Sequence, residues 1–226
     1  MLKNITIAFL SSGLLASGLL AQTLTTQTRP PERRVEGYTI TSATNPAATI
    51  ELLNSPAYVG ADRWILYGIA DCELHAFVQA DAQKKVQRLY WVQFESYLPA
   101  KPELHHTYDS PRHTQISGLD FYLDTWIEPT SDHIKPDSDT EHIHNILQTH
   151  GYKLPSGMMS VRLVHLLDQQ KRKELMFIYS EDVASTGLTV SELRSGGPAH
   201  DQWPKIEKGL IERAEKSITI HQPLKP

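Results

Sequence analysis

Residues 86–98 constrain this chain more than any other stretch. Val86, Arg88, Tyr90, Val92 and Phe94 alternate with Leu89, Trp91, Gln93, Glu95 and Tyr97. A period of two, carried by β-branched and aromatic residues, specifies a strand with two distinct faces. The preceding apolar run, 64–78, is read as a strand as well, although its Ala, Leu and Glu would also suit a helix. Only the short polar stretch 80–85 separates the two, so they are expected to pair as an antiparallel hairpin.

A third period-two run covers 118–128, with Phe121, Leu123, Thr125 and Ile127 on one face and Tyr122, Asp124 and Trp126 on the other. The period then changes. Over 138–150, Ser138 and Glu141 have capping-box spacing, Ile143, Ile146 and Leu147 form an apolar face, and Gly151 supplies a stop, which predicts a helix. Strands at 158–167 and 175–179, joined by the polar turn 168–174, make a second hairpin. A last helix over 201–217 would be capped by Asp201, tolerate Pro204 in its first turn and bury Trp203, Ile206, Leu210 and Ala214. Strands arriving as hairpins, with no repeat and no alternating β and α units, imply an α+β fold. The expectation is a mostly antiparallel, curved sheet of about five or six strands, with the mid-chain and C-terminal helices packed on it.

At the N-terminus, Lys3 precedes an apolar run over 5–20 that is broken only by small or hydroxyl residues. This is the pattern of a secretory signal peptide: Ser11, Ser12, Gly13, Ser17 and Gly18 dilute it below a spanning helix, and Ala21 offers a small residue for cleavage, with the larger Leu19 two positions earlier. Removal of 1–21 would give an extracytoplasmic protein, periplasmic or secreted, with no membrane span. Residues 22–37, rich in Thr, Gln, Pro and Arg, read as a flexible leader. Residues 38–50 look weakly extended, 46–53 could form one or two helical turns, and 54–60 connect onward. One globular domain is expected over 59–220, preceded by this leader and short segment (22–58) and followed by a tail, 221–226.

Twenty-two Lys and Arg against 26 Asp and Glu give a net charge of −4, and loss of Lys3 would make it more negative. The basic groups Lys84, Lys85, Arg88 and Lys171, Arg172, Lys173 fall in expected turns, so nucleic acid is not an expected partner. The single cysteine, Cys72, excludes an internal disulfide, so an exported domain of this kind must rely on its core. Its neighbours Ile69, Ala70, Leu74 and Ala76 suit a buried thiol better than a nucleophile, and linkage of two chains is the lesser alternative.

Linear signatures of serine hydrolases, zinc proteases, phosphate loops and dinucleotide sites are missing, which lowers the case for an enzyme without excluding a site assembled from separate strands. No cofactor is specified. Of 11 histidines, His105, His106 and His113 share a polar stretch with Asp109 and could wrap a metal ion, or could simply be exposed loop residues. A second group, Asp132, His133, Asp137, Asp139, Glu141, His142 and His144, opens like a calcium loop but places His142 where the turn needs glycine and Gln148 where a bidentate Glu belongs.

The remaining constellation is a polar-aromatic strand face: Trp91, Gln93, Glu95 and Tyr97 with Tyr122, Asp124 and Trp126, and with Arg162, His165, Tyr179 and Glu181 placed on the same side. Flat rings with a few polar groups suit a small organic ligand, and a Glu against apolar surface can hold a proton at neutral pH. The plain alternative is a half-exposed sheet face in which Glu95 pairs with Arg162 or a lysine. The leading functional expectation is a non-enzymatic exported module that binds a small molecule or a protein through this face. The alternative is an extracytoplasmic hydrolase using Glu95, Asp124 or His165, with a metal on His105, His106 and His113 as an option, and a third possibility is an envelope protein with no pocket.

Overall fold

A computed structural model describes residues 29–130 and 134–222. The expected signal peptide and the first residues of the expected leader therefore lie outside the described residues, as do Asp132 and His133. The elements run β1 (Arg34–Glu36), β2 (Thr39–Ser42), β3 (Ala48–Leu52), β4 (Ala57–Leu66), β5 (Ala70–Ala80), β6 (Val86–Tyr97), β7 (Arg112–Ile116), β8 (Leu119–Pro129), α1 (Asp139–Thr149), β9 (Gly157–Leu166), β10 (Lys173–Asp182), α2 (Val190–Leu193), α3 (Trp203–Glu215) and β11 (Ile218–His221). Among the described residues no helix is long and apolar enough to cross a membrane.

The fold is α+β and mainly antiparallel, but it contains two sheets of four and seven strands where one sheet of five or six was expected. The small sheet has the order β1-β2-β3-β11 and the large one β4-β5-β6-β10-β9-β8-β7. The difference has three sources. Residues 46–53, expected as helical turns, are β3, because Ile50 and Leu52 alternate inward with Ala48. The run 64–78 is not one strand: the chain reverses at Tyr67 and Gly68, both with positive φ, so β4 pairs with β5. The polar stretch before residue 118 contains β7, turned back onto β8 at Ser117-Gly118, again with both φ positive.

The expected domain start near Val59 also moves, since β1 to β3 belong to the folded unit. Residues 29–33, placed in the flexible leader, are held by side chains of β5. Glu73 accepts the Glu32 and Arg33 backbone N–H groups at 2.8 and 2.9 Å and the Arg33 guanidinium at 3.0 Å. At the other end, β11 pairs with β3 and carries the small sheet into His221, a residue assigned to the tail.

The large sheet is buried on both sides. One face, formed by Phe77, Tyr90, Val92, Phe94, Leu163, Leu175 and Phe177, packs on Ile40, Ile50, Ile218 and Ile220 of the small sheet and on Leu210 and Ala214 of α3. The opposite face, with Leu74, Ala76, Trp91, Met176 and Ile178, packs on Ile143, Ile146 and Leu147 of α1. Each such aliphatic side chain contributes about 1.5–3 kcal/mol through burial.

Helix α1 begins as expected. Ser138 caps Glu141 N–H, and Glu141 reaches back to the N–H of Asp137. Helix α3 does not use Asp201 as its cap. A three-ten turn, His200–Gln202, precedes it, and its N-cap makes no side-chain hydrogen bond. Arg172, expected in a solvated turn, instead donates to the carbonyls of Lys101, Leu104 and Leu98 at 2.7 to 2.9 Å and pins that loop to the sheet.

Candidate functional site

Strand register decides which side chains meet. Trp91, Gln93, Glu95 and Tyr97 of β6 share the α1 side of the sheet with Tyr122, Asp124 and Trp126 of β8 and Arg162 of β9, since Trp91 lies opposite Ile178, Ile178 opposite Arg162, and Arg162 opposite Asp124. Three residues expected with them are on the other side. His165 is three positions from Arg162, so the pleat turns it away; it packs on Phe121 at 5.4 Å, and its Nδ1 lies 2.8 Å from the Asp120 carbonyl oxygen. Tyr179 and Glu181 face α3, where Arg213 donates to Glu181 at 2.7 and 2.9 Å. Glu95 has no ion pair with Arg162, whose Nη2 donates to Asp124 at 2.7 Å.

A cleft of about 380 Å3 opens between this face and α1. Trp91, Met176 and Ile178 form its floor, Ile143 its helical wall, Trp126 and Met158 its far side, and Arg162 its polar corner. Trp126 is oriented by a 2.7 Å hydrogen bond from its indole N–H to Glu128, and Ser160 and Ser180 satisfy one another at 2.8 Å. His144 on α1 also lines the cleft, with its pKa lowered by burial. A larger, more open groove of about 1070 Å3 lies on the opposite face beside α3. Along it Arg213 and Arg88 pair with Glu181, and Asp182 pairs with Lys85.

Beyond Trp91, β6 continues into a buried polar chain. The Trp91 indole donates to Gln93 at 2.9 Å, and Gln93 donates to Glu95 at 3.3 Å. Glu95 sits directly opposite Glu174 of β10, so two buried carboxyl groups are cross-strand neighbours. Burial, then the Glu174 charge, raises the Glu95 pKa to about 8. Burial likewise raises Glu174 to about 7, even though Tyr108 donates to it at 2.6 Å and Arg162 favours its charge. Asp139, in the first turn of α1, is raised by burial too, and its Oδ1 has no hydrogen-bond partner. At neutral pH this cluster holds at least one proton that it can give up or take on.

The four residues considered for metal binding are dispersed. His105 and Asp109 are exposed, and among the described residues no group of three or more His, Cys, Asp or Glu is placed to hold a metal ion. His106 is buried with Nδ1 3.0 Å from Glu174, and burial lowers its pKa to about 4, so the contact is that of a neutral ring and not an ion pair. His106 and His113 instead belong to a run of rings along the sheet end. Tyr97 and His106 lie 4.5 Å apart, Tyr108 and Tyr122 5.4 Å, and Tyr122 and His113 4.6 Å. His142 stacks on Trp64 at 3.8 Å with its Nδ1 2.7 Å from Asp62, a packing role. Cys72 is buried beside Glu95, and its thiol pKa is raised by burial, as an inert thiol requires.

Sequence reasoning missed Glu174, Met176 and Ile178. Both parities of β10 are apolar because both faces are covered, so alternation carried no sign of which side was which. The Arg162 and His165 separation, by contrast, was legible as an odd spacing on one strand. Compared with protein-family models, curated proteins and solved structures, the chain gives no match.

Proposed function

We propose that this chain is an exported, non-enzymatic binding module whose site is the cleft between α1 and the large sheet. The observation that supports it is the cleft's composition: two indoles, two methionines and aliphatic walls around one arginine, in a volume within the roughly 300–1,000 Å3 usual for small-molecule sites. Export rests on the Lys3 and apolar 5–20 pattern alone. The occupant is a small, largely apolar molecule, held by ring and methionine contacts and oriented at the arginine corner. Trp91 and Trp126 report directly on occupancy. A probe that enters the cleft changes tryptophan emission, and Trp126→Ala together with Trp91→Phe removes that change while the circular dichroism of the folded protein persists. An undiminished emission change in the double variant contradicts the reading.

A second reading, an extracytoplasmic hydrolase, is favoured by one observation: Glu95 keeps a proton at neutral pH with a second carboxyl beside it. It loses His165, which faces the other core, and Asp124 is committed to Arg162 and Ser110. Retained turnover by Glu95→Gln, on any substrate found by screening, removes this reading.

A further inference from the structure

The polar groups around the cleft indicate the charge of what it holds. We propose that the occupant ends in a single carboxylate and that Arg162 receives it, an inference that rests on the binding reading above. Arg162 spans the corner between the cleft and the outer hollow around Asp124. Its Nη2 donates outward to Asp124, but its Nε is buried with no hydrogen-bond partner, so part of a planar donor fork is unused. Leaving a buried donor unpaired is costly, and a carboxylate is the planar acceptor that fits this fork.

The other charges agree. Among the described lining residues the cations are Arg162 and Lys135, while the single carboxylate, Glu128, is engaged by the Trp126 indole. A cationic ligand would meet Arg162 and Lys135 in the cleft. A neutral one would leave Nε unpaired. A dianion would approach Asp124 and Glu174, which flank the same arginine and already offset part of its charge, so a single negative charge fits best.

Four matched probes test this on the purified protein by calorimetry and tryptophan fluorescence: 2-naphthoate, 2-naphthalenemethanol, 2-naphthylmethylamine and 2-naphthyl phosphate. The expected order is naphthoate at least about tenfold tighter than the alcohol, with the amine weakest and the phosphate weaker than naphthoate. Arg162→Gln should bring naphthoate to the level of the alcohol. Asp124→Ala, which removes the acceptor of Nη2, should tighten naphthoate, and it carries the test together with the unaltered protein if Arg162→Gln does not fold. Equal affinity for acid and alcohol overturns the carboxylate assignment while leaving the binding reading intact. Tighter binding of the phosphate overturns the single charge, and no binding by any probe overturns both readings.

Discussion

Glu73 and Glu95 sit on adjacent strands of one sheet and are both buried, at 1% and 9% exposure, yet their surroundings push them in opposite directions. Burial alone would raise Glu73. His75 at 2.9 Å, two backbone N–H groups and the Arg33 guanidinium override it and hold the pKa at about 2. Glu95, on the α1 side, has Gln93 and Cys72 as its hydrogen-bond partners and Glu174 as its neighbour, and rises to about 8. The difference teaches which face is built for stability and which is not. The carboxylates on the small-sheet side are matched by cations, Glu73 by Arg33 and Glu181 by Arg213 and Arg88. On the α1 side, Glu95 and Glu174 have no salt bridge to a lysine or arginine among the described residues, and an arginine donor is left unused at the edge of an open cleft. Departures of this kind from local consistency concentrate at functional sites.

The contrast breaks most sharply at Glu73. Glu73→Ala removes the buried carboxylate that pairs with the Arg33 guanidinium, itself 9% exposed, and should cost about 3–5 kcal/mol in urea unfolding at pH 7. A loss below about 1 kcal/mol would mean that the 29–36 segment is held by something else. The next effect is opposite in sign. A carboxyl whose pKa is raised on folding contributes stability below its unfolded value, near 4.5, and loses it as pH rises through the folded value; for the Glu95 and Glu174 pair that window runs from about 4.5 to about 8. Glu95→Gln should therefore change little at pH 5 and stabilise the protein by roughly 2–3 kcal/mol at pH 9. An equal effect at both pH values would remove the proton from the account.

Glu73 works the other way. Its stabilisation is present above about 4.5 and is lost as pH falls through about 2, so these two sites together place maximal stability of the unaltered protein in mildly acidic solution. A melting temperature that keeps rising from pH 5 to pH 9 would contradict the pairing of the two sites. The smallest effect is at Tyr108. Removing its hydroxyl in Tyr108→Phe takes one donor from Glu174, costs about 1 kcal/mol and raises the Glu174 pKa further, readable by carboxyl carbon NMR titration.

Much of this arrangement was legible in the sequence because β6 and β8 are amphipathic at period two, so Trp91, Gln93, Glu95, Tyr122, Asp124 and Trp126 could be placed on one face without a structure. The helix α1 that roofs them was equally clear from Ser138, Ile143 and Ile146. What the chain concealed has physical causes. Strand β10 is apolar on both parities, so Glu174 could not be assigned a side. The small sheet is built from strands of three to five residues, too short to show a period, and its last strand comes from the far end of the chain. Arg29 to Arg33 look like a polar leader until Asp71, which holds Arg29, and the buried Glu73, which holds Glu32 and Arg33, are known. Tyr67-Gly68 and Ser117-Gly118 carried turn signals, and reading them would have recovered two hairpins.

The methionines permit the most direct test of the cleft. Met158 and Met176 line it, whereas Met159 faces the groove beside α3. Methyl-labelled methionine NMR during a 2-naphthoate titration should move the Met158 and Met176 resonances through ring currents and leave Met159 in place. A shift confined to Met159, or none at all, would contradict the claim that the α1 side of the sheet is the binding face.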